Sequence, residues 1–330
     1  MEHEPQDRKN GPDIVASLIR AAGRRAEPPD DAYQQVLTAA TAAFRGKIAK
    51  RRGRTWMLLA GAAGVAALAI AFLLQWNATS AQPQVARVAR VIGAAELAAD
   101  GGWKPMTESG GTLLEGASLR TLAGGSVALA LDGGASLRLA AATEVQMDGP
   151  RRVLLRSGTL YLDNAGSAGT GYRIETPAGT AHDVGTQFEL RVTDGVLRLR
   201  VREGRVEIDR AGEIVNGSAG EQLDIDVLGS VSRSTIAATD TAWQWVETIA
   251  PAPDIDGQPA SVLLTWVARE TGRRLHYESA AVETRAAAVI LHGNIRHLAP
   301  LAALDVMLAT TDLEYALIGD RMEISTRTEP

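Results

Sequence analysis

The chain has 330 residues, enough for two or three domains, and its 45% hydrophobic and 22% charged residues are typical of folded protein. It contains no cysteine, which excludes disulfide bonds, thiolate nucleophiles and cysteine-ligated metals. The net charge of −5 is unevenly distributed: residues 1–54 carry eleven Lys and Arg against seven Asp and Glu, whereas residues 77–330 carry 23 against 32. A segment without any charge separates the basic part from the acidic part.

Two short amphipathic helices are predicted in the basic part, one after Pro12 and one after Asp30. They bury too little apolar surface to be stable alone, so their apolar stripes need another surface. The stripes are typical of a helix that docks in a partner's groove. A hairpin closing on itself, or a basic tail on anionic lipid, would also use them. The candidate partner-binding residues are Leu18, Ile19, Tyr33, Val36, Leu37 and Phe44.

The uncharged segment, residues 55–76, predicts a single transmembrane helix. Its 22 residues would span about 33 Å as a helix, enough for a hydrocarbon core of about 30 Å. Trp56 and Trp76 lie at its two ends, and the basic cluster precedes it, so the N-terminus is expected in the cytoplasm and the C-terminus outside. A buried core helix would rarely lack polar residues over this length. A cleaved signal peptide would have a much shorter apolar run, of about 7–15 residues.

Residues 85–236 change in character, with frequent Gly and short runs in which every second residue is a large aliphatic. In residues 197–202, Leu197, Leu199 and Val201 are expected to face inward and the three intervening arginines to face water. Glu203-Gly204 is expected to form a tight hairpin turn, and residues 166–171 a flexible hairpin tip. Such spacing predicts an all-β domain built as a sandwich, a barrel or stacked sheets.

Within this region, residues 173–190 place His182-Asp183 between two Gly-Thr steps, a possible site of chemistry. Pro177 cannot donate to a strand ladder, so the strand before it should end there. No serine lies in a nucleophile-elbow context, and the five histidines are scattered without metal-ligand spacing. We therefore expect a structural turn, with no catalytic residue, metal or cofactor.

The order of several blocks resembles the FecR domain. They are residues 155–161, 174–179, 184–188, 201–206 and 219–223. The family-motif positions, expected to be structural, are Thr176, Pro177, Gly179, Gly185, Thr186, Phe188 and Gly204. The resemblance implies a membrane-anchored regulator of an extracytoplasmic-function sigma factor. It also implies that the periplasmic part receives a signal from a TonB-dependent outer-membrane transducer, and that the cytoplasmic part binds the sigma factor.

Residues 237–253 read as a linker or a docking strap, and residues 254–327 as a small α+β domain. Helices are expected at residues 259–271 and 298–310, and strands at 275–277, 288–291, 313–317 and 322–324. Three stretches, residues 254–259, 271–272 and 308–315, resemble the secretin and TonB short N-terminal (STN) domain, which implies a protein-docking module. An auxiliary cap that only protects the β-domain is the alternative.

Together these features predict a multi-domain chain: a helical N-terminus, one transmembrane helix, a mainly-β FecR-like periplasmic domain and a small α+β C-terminal domain. The expected location is the bacterial inner membrane, crossed once, with the N-terminus cytoplasmic and the C-terminus periplasmic. The expected function is that of an anti-sigma factor type of signal transducer, not an enzyme and without direct nucleic-acid contact. The alternative is an envelope scaffolding or periplasmic ligand-binding protein with no sigma-factor role.

Overall fold

The computed structural model describes residues 34–35, 37–38, 83–106, 110–164, 171–183 and 185–327. The chain divides into two compact units, Met1–Ser80 and Ala81–Pro330. In the first unit, Gln34, Gln35, Leu37 and Thr38 are helical and exposed. The predicted membrane span at residues 55–76 and five of the six candidate partner-binding residues lie outside the described residues. Within the described ranges, no helix has the length and apolar character needed to cross a membrane.

The second unit contains a β-sandwich of 17 strands between residues 84 and 235. The strands are β1 (Gln84–Ile92), β2 (Ala95–Ala99), β3 (Gly102–Met106), β4 (Thr112–Leu114), β5 (Ser118–Thr121), β6 (Ser126–Leu131), β7 (Ser136–Leu139), β8 (Glu144–Met147), β9 (Arg152–Asp163), β10 (Arg173–Thr176), β11 (Gly179–Asp183), β12 (Gln187–Thr193), β13 (Val196–Glu203), β14 (Arg205–Arg210), β15 (Glu213–Ser218), β16 (Glu221–Ile225) and β17 (Val231–Thr235). The predicted mainly-β domain is confirmed.

Two sheets form the layers of the sandwich. The first sheet has the order β4–β1–β6–β7–β9–β12–β13–β16–β17. The second sheet has the order β3–β2–β5–β8–β9–β10–β11–β14–β15. All of these pairings are antiparallel except β9 with β10, which is parallel. Alternate residues point inward from both sheets, so one continuous aliphatic core fills the space between them.

Strand β9 belongs to both sheets. Its first half pairs with β8 and β10 in the second sheet, and its second half pairs with β7 and β12 in the first. The strand passes from one sheet to the other at Gly158, whose φ is +92°. A Cβ at this position would lie 2.5 Å from the Cα of Thr143, so the close approach and the positive φ both require glycine.

Two expected hairpins are wrong, because each of these connections passes between the sheets. Glu203-Gly204 joins β13 of the first sheet to β14 of the second, and these two strands do not pair with each other. The connection from β9 to β10 ends in a parallel pairing, which a hairpin cannot produce. Residues 166–170 of that connection lie outside the described residues. Local turn signals showed where each strand ends, but not which sheet the next strand joins.

The C-terminal module, residues 254–327, packs three helices on one three-stranded sheet. Its elements are β18 (Gln258–Pro259), α2 (Ala260–Glu270), β19 (Arg274–Tyr277), α3 (Ala280–Ala288), β20 (Ile290–Leu291), α4 (Pro300–Leu308), β21 (Leu313–Ile318) and β22 (Arg321–Thr326), after α1 (Gln244–Thr248) in the preceding segment. Strand β22 is central, parallel to β19 and antiparallel to β21. This module has its own aliphatic core, separate from that of the sandwich.

Most expected elements of the module lie within a few residues of their predicted positions, but helix α3 was not predicted. Ser279 caps it, with its hydroxyl accepting from the Val282 N–H. The strand expected at residues 288–291 is reduced to Ile290–Leu291 because Ala288 is the last residue of α3. A run of alanines with few large apolar residues gives only weak helical periodicity.

Candidate functional site

The His182-Asp183 pair lies on strand β11, beyond the turn that was expected to contain it. The turn is Pro177-Ala178, closed by Thr176: its Oγ1 accepts from the Ala178 N–H at 3.1 Å and donates to the Gly179 carbonyl at 2.7 Å. Strand β10 ends at Thr176, directly before Pro177. His182 pairs with Arg173 in the β10–β11 ladder.

Asp183 is buried and its carboxylate is held by three donors. Asn164 Nδ2 donates to Oδ2 at 2.5 Å, Thr186 Oγ1 donates to Oδ1, and the Tyr172 N–H lies 3.4 Å from Oδ2. These contacts connect the end of β9, the start of β10 and the entry to β12. Because the Asp183 carboxylate accepts hydrogen bonds from these backbone and side-chain donors, it holds the connected segments in place. The described residues contain no group of His, Asp and Glu that could hold a metal ion.

The remaining family-motif residues lie around this same corner of the sandwich. Gly185 has a φ of +77° and Gly204 a φ of +83°. A Cβ on Gly204 would lie 2.6 Å from Thr186 Cγ2, so glycine there lets the β13–β14 connection pass beside Thr186. Phe188 points into the core and is fully buried. We still predict that these positions shape the fold.

The outer face of the first sheet carries a row of polar side chains that residues 237–253 and the C-terminal module cover. The row crosses β7, β9, β12 and β13 through the paired residues Arg138, Tyr161, Glu189 and Arg200. Arg138, Tyr161 and Glu189 are at most 2% exposed. The expectation that the arginines of residues 197–202 face water is therefore wrong for Arg202, which is 5% exposed.

Arg138 makes the central contact between the β-sandwich and the C-terminal module. Its guanidinium donates to both carboxylate oxygens of Glu270, at the end of α2, over 2.6 and 2.8 Å. It also donates to the Val246 carbonyl at 3.1 Å and stacks 5.3 Å from the centre of the Tyr161 ring. Two parallel N–H···O bonds fix the relative orientation of the two groups as well as their distance. Arg138 thus ties β7, α1 and α2 together.

Arg202 makes a second contact to the same helix end. Its Nη1 donates to the Glu270 carbonyl at 2.8 Å, and its Nε donates to the Ala238 carbonyl at 2.7 Å. Gly272 follows the helix with a φ of +64°, and a Cβ there would lie 2.2 Å from the Ala238 carbonyl oxygen. Glycine is therefore needed where the end of α2 meets residues 237–253.

Two further ion pairs and hydrogen bonds border this contact. Arg269 of α2 holds the carboxylate of Asp163 at the end of β9 through bonds of 2.6 and 2.9 Å. Glu189 accepts from the Trp245 indole N–H at 2.8 Å and from Arg200 at 3.2 Å. Burial raises the pKa of Glu189, although Trp245 and Arg200 act in the opposite direction.

Residues 237–253, which we call the strap, are packed between the sandwich and the module. Trp243 is fully buried, meets the Tyr161 ring edge-on with ring centres 5.9 Å apart, and donates its indole N–H to the Ala237 carbonyl at 2.9 Å. Tyr161, Ile236, Trp243 and Val246 form a small apolar cluster here. The docking-strap alternative describes this packing better than a free linker does.

Sequence reasoning missed this contact because its residues are far apart in the chain. Arg138, Arg202 and Glu270 occupy outward positions of strands or a helix end, where charged residues are ordinarily solvated. The strand β12, Gln187–Thr193, alternates polar and apolar residues along its whole length, so nothing in its sequence marks the outward Gln187 and Glu189 as covered. Only the docked module shows that these outward side chains are covered.

The comparison with protein families agrees with the sequence resemblance. A family model described as FecR protein matches residues 117–207, which lie within the sandwich from the start of β5 to β14. No curated protein matches the chain. Two crystal structures of a candidate anti-sigma factor from Parabacteroides distasonis each align with 64% of this chain and 99% of their own, at 15% identity and a TM-score of 0.35. This likeness is too low to support an argument, whereas the match to the family model identifies a FecR domain within the β-sandwich of this chain.

Proposed function

We propose that the chain is a single-pass inner-membrane regulator of an extracytoplasmic-function sigma factor, of the anti-sigma factor type. The observation that carries this proposal is the FecR domain at residues 117–207, in the acidic part of the chain. An uncharged span of 22 residues with a basic N-terminal flank precedes that part. Such a span would anchor the FecR domain outside the membrane and leave residues 1–54 in the cytoplasm.

The cytoplasmic partner would bind the apolar stripes of the first 54 residues. Leu37, the one candidate among the described residues, is helical and its side chain is 44% exposed. An exposed leucine in a helix with apolar residues at three- and four-residue spacing suits a groove on another protein. The sigma factor would occupy that stripe.

The outer partner would be a TonB-dependent outer-membrane transducer. The C-terminal module is the candidate docking part, because it resembles the STN domain and its sheet carries exposed side chains. Arg274, His276 and Glu314 are exposed there. A contact at this sheet could reach the sandwich through the strap. No catalytic residue, metal or cofactor takes part.

The test is copurification from native membranes of the full-length chain, in cells that carry a reporter gene for the bound sigma factor. We expect a sigma factor to copurify, and Leu18→Asp, Leu37→Asp or Phe44→Asp to abolish its recovery and change reporter output at least about tenfold, because a buried charge opposes docking. Gln35→Asp, an exposed helical position, is the matched control and should leave both unchanged. Recovery of the chain without a sigma factor would refute the proposal.

Deleting residues 1–44 while keeping the basic flank separates the regulator from an envelope scaffold. Under the proposal, the deletion removes the effect on transcription although the exported unit, Ala81–Pro330, stays in place. A scaffolding or ligand-binding protein would show no change in transcription. Reporter fusions at both termini test the topology, and both fusions reporting the same compartment would contradict the membrane arrangement.

A further inference from the structure

The sandwich and the C-terminal module each have a separate hydrophobic core. No residue is shared between the two aliphatic clusters, and the small apolar cluster around Trp243 joins the strap to the sandwich. Direct polar contacts between the sandwich and the module include the ion pairs of Arg138 with Glu270 and of Asp163 with Arg269. Arg202 also donates to the Glu270 carbonyl, and Arg90 donates to the His297 carbonyl. Each body can therefore stay folded when the contact opens, because its own core is not exposed.

The docked contact also leaves hydrogen-bonding groups without partners. Arg138 Nε, Arg273 Nε and Arg273 Nη1 are buried, and none of them has a hydrogen-bond partner among the described residues. Arg273 directly follows Gly272, which touches the strap at Ala238. A buried donor without a partner costs free energy that water would return on opening. This cost opposes docking.

A buried ion pair adds little net stability for the same reason. Removing Arg138 and Glu270 from water is costly, and their mutual attraction about offsets that cost. Removing only one of the two leaves an unpaired buried charge and strongly favours opening. The contact is thus sensitive to the loss of a single charged group.

We propose that the exported unit exists in a docked and an undocked state, and that Arg138, Arg202 and Glu270 form a latch that sets the balance between them. In the undocked state the strap and α2 leave the first sheet, and both cores remain folded. The two states follow from the contact itself. Their use in signalling rests on the proposed function, in which a contact on the module would change the docked population.

Thiol labelling of the full-length chain in detergent tests the two states directly, since the chain has no native cysteine. Val246→Cys places a thiol in the strap, and Val201→Cys places one in the sandwich core; both valines are fully buried. If the module undocks, Val246→Cys is labelled at least about tenfold faster than Val201→Cys, because local opening precedes global unfolding. Equal labelling rates would overturn the proposal.

Glu270→Gln tests the latch. We expect it to speed labelling of Val246→Cys at least about tenfold and to leave Val201→Cys unchanged. Asp320→Asn breaks an exposed 2.7 Å pair with Arg274 in the same module and is the matched control, with both rates unchanged. Equal acceleration at both thiols would show global unfolding and refute the latch.

A second variant covers the case in which Glu270→Gln does not fold. Arg138→Met with Glu270→Leu replaces the ion pair by apolar groups, and we expect slower labelling of Val246→Cys than in the wild type. Unchanged or faster labelling would contradict a latch made of these groups. These measurements need no sigma factor, so the latch can be refuted while the proposed function stands. The proposed function can likewise be refuted while the latch stands.

Discussion

Arg138 and Glu270 lie 132 positions apart and are joined by two hydrogen bonds of 2.6 and 2.8 Å, with both side chains almost completely buried. Replacing one partner leaves the other charge buried without its counterion. We therefore expect Glu270→Gln to lower the free energy of opening this contact by about 3–5 kcal/mol, while the cores of the sandwich and of the C-terminal module stay folded. Denaturant titration of the full-length chain, followed by tryptophan fluorescence, measures this change.

Asp320→Asn is the control for this first prediction. Its pair with Arg274 is equally short, at 2.7 Å, but both side chains are more than half exposed. Solvent and salt screen such a pair, so no measurable change is expected. A Glu270→Gln variant as stable as Asp320→Asn would show that the Arg138 contact is not formed in solution.

Trp243 anchors the strap, and replacing it should lower the stability of the protein. The side chain is fully buried against Tyr161, and we expect Trp243→Ala to lower the free energy of unfolding by about 3–5 kcal/mol because it leaves a large cavity. Trp243→Phe keeps an aromatic ring and loses the hydrogen bond to Ala237, a loss of about 1 kcal/mol beyond its smaller volume. Equal stability of the two variants, measured by thermal unfolding, would contradict an anchoring role.

Strands with one buried face could be predicted from the sequence. Alternation identified β6, β7 and β13 because Leu and Val recur at every second position. The same rule assigned Arg202 to solvent, since alternation shows only that a residue points away from the core. Whether another body covers that outer face depends on contacts across more than 60 positions, such as Arg202 with Glu270. No local pattern contains that information.

The crossings between sheets were missed for a related reason. Gly158 and Gly204 look like ordinary strand or hairpin glycines in the sequence. Their positive φ and the absence of room for a Cβ appear only when Thr143 and Thr186 are in place. The expected hairpin at Glu203-Gly204 was wrong because a turn signal says where a strand ends and not which strand it next pairs with.

Gly158 gives a direct test of the crossing. A Cβ there would lie 2.5 Å from the Cα of Thr143 and 2.6 Å from the Ala142 carbonyl oxygen, and the φ of +92° disfavours other residues. We expect Gly158→Ala to lower the free energy of unfolding by at least about 2 kcal/mol. Gly102→Ala in β3 is the matched control, since a Cβ at that position would meet no atom within 4 Å. Equal denaturation midpoints for the two variants would refute the close approach.

Glu189 lies on the face of the first sheet that the strap covers, and its titration should lower the stability of the protein as the pH rises. Ordinary acid denaturation has the opposite dependence on pH. The side chain is 2% exposed, and burial raises its pKa despite the Trp245 hydrogen bond and the nearby positive charges of Arg200, Arg191 and Arg198. A carboxyl whose pKa is higher in the folded than in the unfolded state, where it is about 4.3, binds its proton more tightly when folded. Its contribution to stability is therefore fully present below that unfolded value and is lost as the pH rises through the folded value.

The variant Glu189→Gln removes this titration and keeps an acceptor for the Trp245 indole N–H. We expect the difference in free energy of unfolding, wild type minus variant, to fall as the pH rises from about 4 to 7 and to level off above the raised pKa. Denaturant titrations at several pH values measure this difference. Glu175→Gln is the control of opposite sign, because the hydrogen bond from Arg152 lowers the pKa of the half-buried Glu175 carboxyl. A difference that rises with pH for Glu189→Gln would show that the carboxylate is stabilised, not penalised, beneath the strap.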